Sequence, residues 1–483
     1  MNGIGEAARL TPDAPAVIEP HRVWSHAEID DRMRRVAGSL LSAGIRRGDR
    51  IAVWAGNRRE VVEVVGGALR AGIVPVPINP LSTPAEARYL LEDSGASWLF
   101  SDRHVEPGAG LGVVTFGDAF ERTLHQSSPA EVADVVLGRP MHYTSGTTGR
   151  PKGVWVDPAP EEIAAARSQA FRRLWSIAPE DRHLVCSPLA HSAPLRFALR
   201  TLESGGAVSI LGRFDARSAL AAIDLFSVTS TFMVPTHLER IVSLGRTGLT
   251  RHDLSSLRWL AHAGAPIRRV TKDIVMASFP EETVWEFYGA TEGQATRIST
   301  AEWVRKPGSV GRPNPGAQIF VRDDAGHDLA AGETGEIWID DPGAERFRYW
   351  NDPEKTDAAW RGSAFTVGDL GYVDADGYLF LVGRKHDVII TGGVNVYPQE
   401  VEAVLAGHPS VADAIVYGAP DDEWGQRVEA AVVTAPGREL IPDEVRAWVR
   451  ARVAAFKVPR RIVVLDEIPR TPTGKPRRTP PGG

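Results

Sequence analysis

Ile51-Ala52-Val53-Trp54-Ala55, then an apolar helical pattern from about Arg59 to Leu69, then Ile73-Val74-Pro75-Val76, reads as strand, helix, strand. The same alternation extends outward on both sides. Upstream, Ser25 caps a helix and Glu28, three residues on, completes a capping box. Ile29, Met33, Val36 and Leu40 form its apolar stripe, and Gly44 stops it. Downstream, Thr83-Pro84-Ala85-Glu86 opens another helix with proline at its first position. Strands alternating with helices predict parallel sheets faced by helices, so the fold class is α/β.

The texture changes after Asp369. Gly371 to Phe380 predicts a hairpin with an Asp376-Gly377 turn, leading into the polar stretch Gly383-Arg384-Lys385-His386-Asp387. A helix near Gln399–Leu405, strands near Asp413–Tyr417 and Val428–Thr434, and a helix near Asp443–Ala455 follow. These make a compact α+β unit of domain size. The expected division is a large N-terminal domain of parallel-sheet α/β layers, residues 1–385, and a small C-terminal α+β domain, residues 386–483. The Pro/Gly/Arg-rich end, Pro476 to Gly483, predicts a disordered tail.

Composition narrows the function. A chain of 483 residues exceeds what one compact core usually holds. Its 43% hydrophobic and 24% charged residues are ordinary for a soluble globular protein. A formal net charge of −6 is the wrong sign for a binder of nucleic-acid phosphates. The single cysteine, Cys186, excludes an intrachain disulfide and reads as a small buried residue. The N-terminus lacks the pattern of a secretory signal, and the best apolar run, Val61–Val76, is broken by Glu63 and Arg70. These bounds lead us to expect a cytoplasmic protein with no membrane span, and they leave its oligomeric state open, a homodimer included.

Tyr143-Thr144-Ser145-Gly146-Thr147-Thr148-Gly149-Arg150-Pro151-Lys152-Gly153 carries the strongest chemical signal. Glycines let backbone N–H groups approach a phosphate, hydroxyls donate to it and lysine adds charge. It is not a Walker A loop, because Lys152 precedes Gly153 rather than Ser or Thr. Taken as a bare Gly/Ser/Thr loop it would more often be a surface turn. The whole string resembles the signature phosphate loop of the adenylate-forming (AMP-binding) superfamily, which includes acyl-CoA synthetases, luciferases and adenylation domains. That resemblance runs from about Pro12 to Lys475, and further motifs recur in the family's order.

The resemblance implies a role for each motif. Thr144 to Gly149 and Lys152 would hold the ATP phosphates. His191, in Ser187-Pro188-Leu189-Ala190-His191, is similar to the family's residue beside the acid, although a lone histidine in an apolar stretch is usually structural. Gly264-Ala265-Pro266 resembles the segment lining the adenine and acyl site. Tyr288-Gly289-Ala290-Thr291-Glu292 would supply an aromatic ring for adenine, a hydroxyl for the α-phosphate and a carboxylate for Mg²⁺, and one carboxylate suffices because phosphates complete that shell. Asp369 would accept from the ribose hydroxyls with Arg384 as its basic neighbour. Gly392-Gly393 resembles the loop that swings toward the CoA tunnel, His386 the hinge about which the small domain rotates, and Lys475 the catalytic lysine. Two departures, Val367 for Thr or Ser and Ala364 for Trp, remove no charged participant.

The implied activity is that of an AMP-forming acid–thiol ligase taking an acid, ATP with Mg²⁺, and coenzyme A. Ala193, Phe197, Met233, Gly264, Ala265 and Ala295 are the acid-pocket candidates, and their small or apolar side chains suggest a neutral tail. Arg196 is the exception, able either to meet a second carboxylate or to form a structural ion pair. Four other readings are weighed: an amino-acid-activating domain, disfavoured because Ser192-Ala193-Pro194-Leu195 offers no Asp; a luciferase-like oxygenase; activation of an unusual acid or delivery to an amine; and a nucleotide binder without catalysis, disfavoured because Lys475 and Glu292 are both present.

Overall fold

The computed structural model describes residues 3–106, 108, 110–144, 151–470 and 478. Among these residues the strands form four sheets. The opening helix, His26–Ser42, starts on the expected reciprocal cap. Ser25 Oγ accepts from the Glu28 amide at 3.2 Å, and the Ser25 amide donates to Glu28 Oε2 at 2.8 Å. The strand Arg50–Trp54, the helix Arg59–Arg70 and the strand Val74–Ile78 then form the predicted unit. Their four-stranded sheet is wholly parallel, with Arg50–Trp54 between Val74–Ile78 and Trp98–Ser101.

The large, fifteen-stranded sheet is mixed rather than parallel throughout. The strands Arg182–Val185, Ser230–Met233, Trp259–His262 and Val284–Gly289 lie side by side and parallel. After Gly289 the chain reverses in four residues and returns as the antiparallel strand Gln294–Ile298. A connection so short permits only antiparallel pairing, since a parallel partner needs a crossover of a dozen residues or more. The strands that follow, up to Leu379–Arg384, extend this antiparallel half.

Hydrogen-bond pairing in the large sheet stops at Arg384, and a separate five-stranded sheet begins at Ile389. Between them Lys385–Asp387 makes one helical turn. The second sheet packs against the helices Pro398–Ala406 and Pro442–Arg450 around Val401, Leu405, Val416, Val432, Val445 and Val449. The last helix ends earlier than expected. Arg452 folds back, donates to the Trp448 carbonyl at 3.0 Å and lies over its ring, so that this helix-terminal acceptor is satisfied by a side chain. One residue of the stretch expected to be disordered is tied to the small domain: Arg478 is held 3.1 Å from Asp387 and bonds Glu402 Oε2 at 3.0 Å.

Arg268, just after the Gly264 loop, donates to the carbonyls of Ala406 at 3.2 Å and Ala412 at 3.1 Å, linking the two sheet systems. Among the described residues no helix is long and apolar enough to cross a membrane.

Candidate active site

Three of the expected site segments leave the carboxyl ends of parallel strands in the large sheet, the edge where open α/β sheets bind ligands. The strand Arg182–Val185 leads to His191, Trp259–His262 to Gly264, and Val284–Gly289 to Thr291 and Glu292. The last of these occupies the reversal where the sheet changes from parallel to antiparallel, closed by a 2.8 Å bond from the Ala290 amide to the Gly293 carbonyl. Gly289 is required there, because a Cβ would stand 2.8 Å from the Gln294 Cα and the Gly293 oxygen. Gly264 has φ of +94°, and with Ala265 and Pro266 it is exposed, leaving backbone open to a planar ligand.

Asp369 is the most constrained of the expected nucleotide-binding residues. Its Oδ2 accepts from the Tyr288 hydroxyl at 2.7 Å and its Oδ1 from Arg384 Nε at 2.9 Å. Burial, reinforced by the Asp369 charge, pushes the Tyr288 phenol well above its usual pKa, so it remains a donor. Burial works against the Arg384 charge, yet Asp369 and Asp387 hold its pKa above the ordinary value. The Tyr288 ring packs with Val154, Val156 and Ala295, so its hydroxyl supports Asp369 while the ring is largely enclosed.

Glu292 is buried, and its Oε1 accepts from the Tyr349 hydroxyl at 2.8 Å. Burial and the Glu292 charge raise the Tyr349 phenol, keeping it protonated. Glu292 Oε2 has no hydrogen-bond partner among the described residues, which fits a single-carboxylate magnesium site. No cluster of three or more His, Cys, Asp or Glu side chains suited to a metal exists among the described residues. Arg139 braces the reversal from below, donating to the carbonyls of Thr291 at 2.7 Å and Glu292 at 3.2 Å.

Thr144 ends the strand His142–Thr144, and Lys152 begins its antiparallel partner, Lys152–Trp155. Ser145, Gly146, Thr147, Thr148 and Gly149 lie outside the described residues, as does Lys475. Lys152 is ion-paired with Asp352, whose carboxyl is held below the usual range by that bond and by the Lys355 amide. His191 precedes the helix Ser192–Ser204 at its N-cap position. Gly392 and Gly393 form an exposed turn at φ of +56° and +78°, and a Cβ on Gly392 would strike the Trp424 ring. His386 is exposed within the Lys385–Asp387 turn.

The expected acid-pocket residues do not come together. Phe197 and Ala193 join an aromatic cluster with Trp175, Trp259 and Phe287; Met233 lies in a different core with Leu184, Leu238 and Ile241; Ala295 is enclosed beside Tyr288. Phe197, Met233 and Ala295 are at most 1% exposed and serve as core. The residues sequence reasoning missed are Arg139, Tyr349 and Asp352. Asn351-Asp352-Pro353 carried a usable signal, an Asp N-cap before a first-turn proline, and Asp352 does cap the helix Pro353–Ala359. Nothing local marks Arg139 or Tyr349.

Comparison with known proteins identifies the family of the chain. Residues 4–347 match the family model described as AMP-binding enzyme, and residues 400–475 match the AMP-binding enzyme C-terminal domain. The chain is 36% identical to a feruloyl-CoA synthase from Amycolatopsis sp, covering 97% of this chain and 95% of that one. It is 32% identical to the fatty acid–[acyl-carrier-protein] ligase ScoC from Streptomyces coeruleorubidus, covering 97% and 93%. Among solved structures, o-succinylbenzoate CoA synthetase (MenE) from Bacillus subtilis, in complex with the acyl-adenylate intermediate OSB-AMP, superposes with a TM-score of 0.88. That alignment has 29% identity over 99% of this chain and 97% of that one. The chain belongs to the family of AMP-binding enzymes.

Proposed function

We propose that this AMP-binding enzyme is an AMP-forming acid–CoA ligase: it activates a carboxylic acid with ATP and Mg²⁺ to an acyl-AMP, then passes the acyl group to coenzyme A. The carrying observation is the meeting of Asp369, Tyr288 and Arg384 with the Glu292–Tyr349 pair at the sheet reversal. Similarity to a feruloyl-CoA synthase and to an acyl-adenylate complex of a CoA synthetase supports it.

In the first half-reaction an oxygen of the substrate carboxylate forms a bond to the α-phosphorus of ATP. The bond to the leaving oxygen breaks, and pyrophosphate departs with the electron pair. No protein nucleophile is required; the residues hold two anions together and stabilise charge on the transferring group. In our reading Asp369 accepts from the ribose hydroxyls, and Gly264, Ala265 and Pro266 flank the adenine with Tyr288. The segment Thr144–Lys152 holds the terminal phosphates, with Asp352 positioning Lys152. The Thr291 hydroxyl and Lys475 donate to the α-phosphoryl oxygens, and His191 sits beside the acid. Glu292 would hold a magnesium ion, which would supply neutralisation of the phosphate charge. In the second half-reaction the CoA thiol gives its proton to solvent, its sulfur bonds to the acyl carbon, and the bond from that carbon to the phosphate oxygen breaks, so that AMP leaves with the electron pair. We assign residues 386–483 to a mobile domain that turns about His386 and brings Gly392 and Gly393 toward CoA.

Delivery to a non-CoA acceptor is the second reading, favoured by similarity to an acyl-carrier-protein ligase. We place the enzyme in the cytoplasm, and sedimentation of the purified chain would decide between a monomer and a homodimer. Pyrophosphate exchange over acids of graded size, repeated with CoA and thioester detection, tests the main reading. No exchange with any acid overturns it, and exchange without thioester shifts it to the second.

A further inference from the structure

Beside Thr291 lies a cavity of about 30 Å³ between the helix Ser192–Ser204 and the segment leading to the strand His142–Thr144. Its walls include Arg139, Arg196, Arg200 and His142 together with Ser192 and Thr291, and no carboxylate lines it among the described residues. Arg200 is satisfied from behind by Glu203 at 2.5 Å. The others are not. Arg139 has Glu345 3.3 Å from its Nε, but that carboxylate is shared with Arg167, and Arg139 Nε and Nη2 make no hydrogen bond. His142, 4% exposed, likewise leaves its Nε2 without a partner. Arg196 lies 5.8 Å from the Phe171 ring centre and forms no ion pair within 4.0 Å among the described residues, so the Glu345 carboxylate offsets its charge only from a distance.

Buried donors left unpaired carry a desolvation cost that a bound acceptor relieves. Positive groups outnumber carboxylates here, with Glu345 shared between Arg139 and Arg167. Burial, then Arg139, lowers the Arg196 pKa to about 10, and burial with the surrounding positive groups lowers His142 to about 3. A water needs roughly 10–15 Å³ on this scale, so the cavity has room for a small oxyanion group such as a carboxylate.

We propose that this cavity receives a second carboxylate on the substrate, so that the acid activated beside Thr291 is a short dicarboxylic acid. The proposal rests on the acid-activating reading above and replaces the neutral tail expected from the apolar residues near His191. Arginine matches a carboxylate with a planar fork of donors, and a site built this way rejects an analogue that leaves those donors unpaired.

The test is pyrophosphate exchange with pairs of short acids matched in length, one ending in a carboxylate and the other in a methyl group. For the wild-type chain the diacid should exceed its partner in kcat/KM by about 10²-fold or more. Arg196→Gln should collapse that ratio, and Arg196→Lys should keep part of it. A wild-type preference for monoacids, or a ratio that survives Arg196→Gln, overturns the proposal. So does a rise in KM for ATP, rather than for the diacid, in Arg196→Gln, which would assign the cavity to a phosphate. Exchange confined to monoacids defeats only the second carboxylate, whereas no exchange with any acid defeats the acid-activating function itself.

Discussion

The Tyr288 hydroxyl donates a 2.7 Å hydrogen bond to Asp369, joining the last residues of a parallel strand to the first residue of an antiparallel one. With the bond from Arg384, this fixes the orientation of the Asp369 carboxylate. Replacing Asp369 with Ala should raise the KM for ATP with a smaller change in kcat, since ribose contacts act in ground and transition states alike. Tyr288→Phe should give a milder version, about tenfold in KM, the scale of one hydrogen bond to a charged group. Steady-state kinetics with varied ATP separates the two; a fall in kcat at unchanged KM would contradict the role.

Glu292 and Tyr349 should behave as a pair. Glu292→Gln should slow adenylation and shift the Mg²⁺ dependence upward, with partial recovery at high Mg²⁺. Tyr349→Phe, which frees Glu292 Oε1, should shift the same curve by less. Magnesium titrations of pyrophosphate exchange read both. Wild-type behaviour of the Gln variant at low Mg²⁺ would remove Glu292 from the metal site.

Lys475→Ala should reduce acyl-AMP formation by about 10²–10³-fold, as removal of one transition-state donor does. ATP binding, measured by calorimetry, should change far less. An unimpaired exchange rate would rule out the assigned role.

His386 lies exposed in the single turn that separates the two sheet systems. A hinge needs freedom in φ and ψ more than a particular side chain. His386→Ala should leave both half-reactions near wild type. His386→Pro, with φ fixed at about −65°, should retain acyl-AMP formation and lose most thioester formation. Equal loss of both, measured separately, would indicate misfolding.

Burial lowers the pKa of His142 and His183 to about 3 and of His237 to about 4. Their folded values lie below the unfolded value of about 6.5, so the unfolded chain binds more protons between these limits. Stability should be full above about pH 7 and fall as the pH drops toward about 4, each histidine contributing up to about 1.4 kcal/mol per pH unit. Urea unfolding at about pH 7 and about pH 5 measures the slope, and His183→Gln should make it shallower.

Elements with local determinants were legible. The reciprocal cap of Ser25 and Glu28 and the strand–helix–strand run from Arg50 to Ile78 depend on neighbours in sequence, and both formed as read. Phe232 and Met233 show where such reasoning ends: adjacent in one strand, they enter opposite cores, one aromatic and one aliphatic. Nearness to a motif therefore does not tell which side of a sheet a residue faces. Arg139 reaches the Thr291 carbonyl across 152 positions, and no spacing rule could have connected them.

The clasp formed by Arg268 has an unequal susceptibility to mutation. Its acceptors are main-chain carbonyls of Ala406 and Ala412, which every amino acid at those positions would still provide. Substitutions on the C-terminal side can drift without erasing the contact, while a single change at Arg268 removes both bonds together. For this clasp the vulnerability is concentrated in one codon.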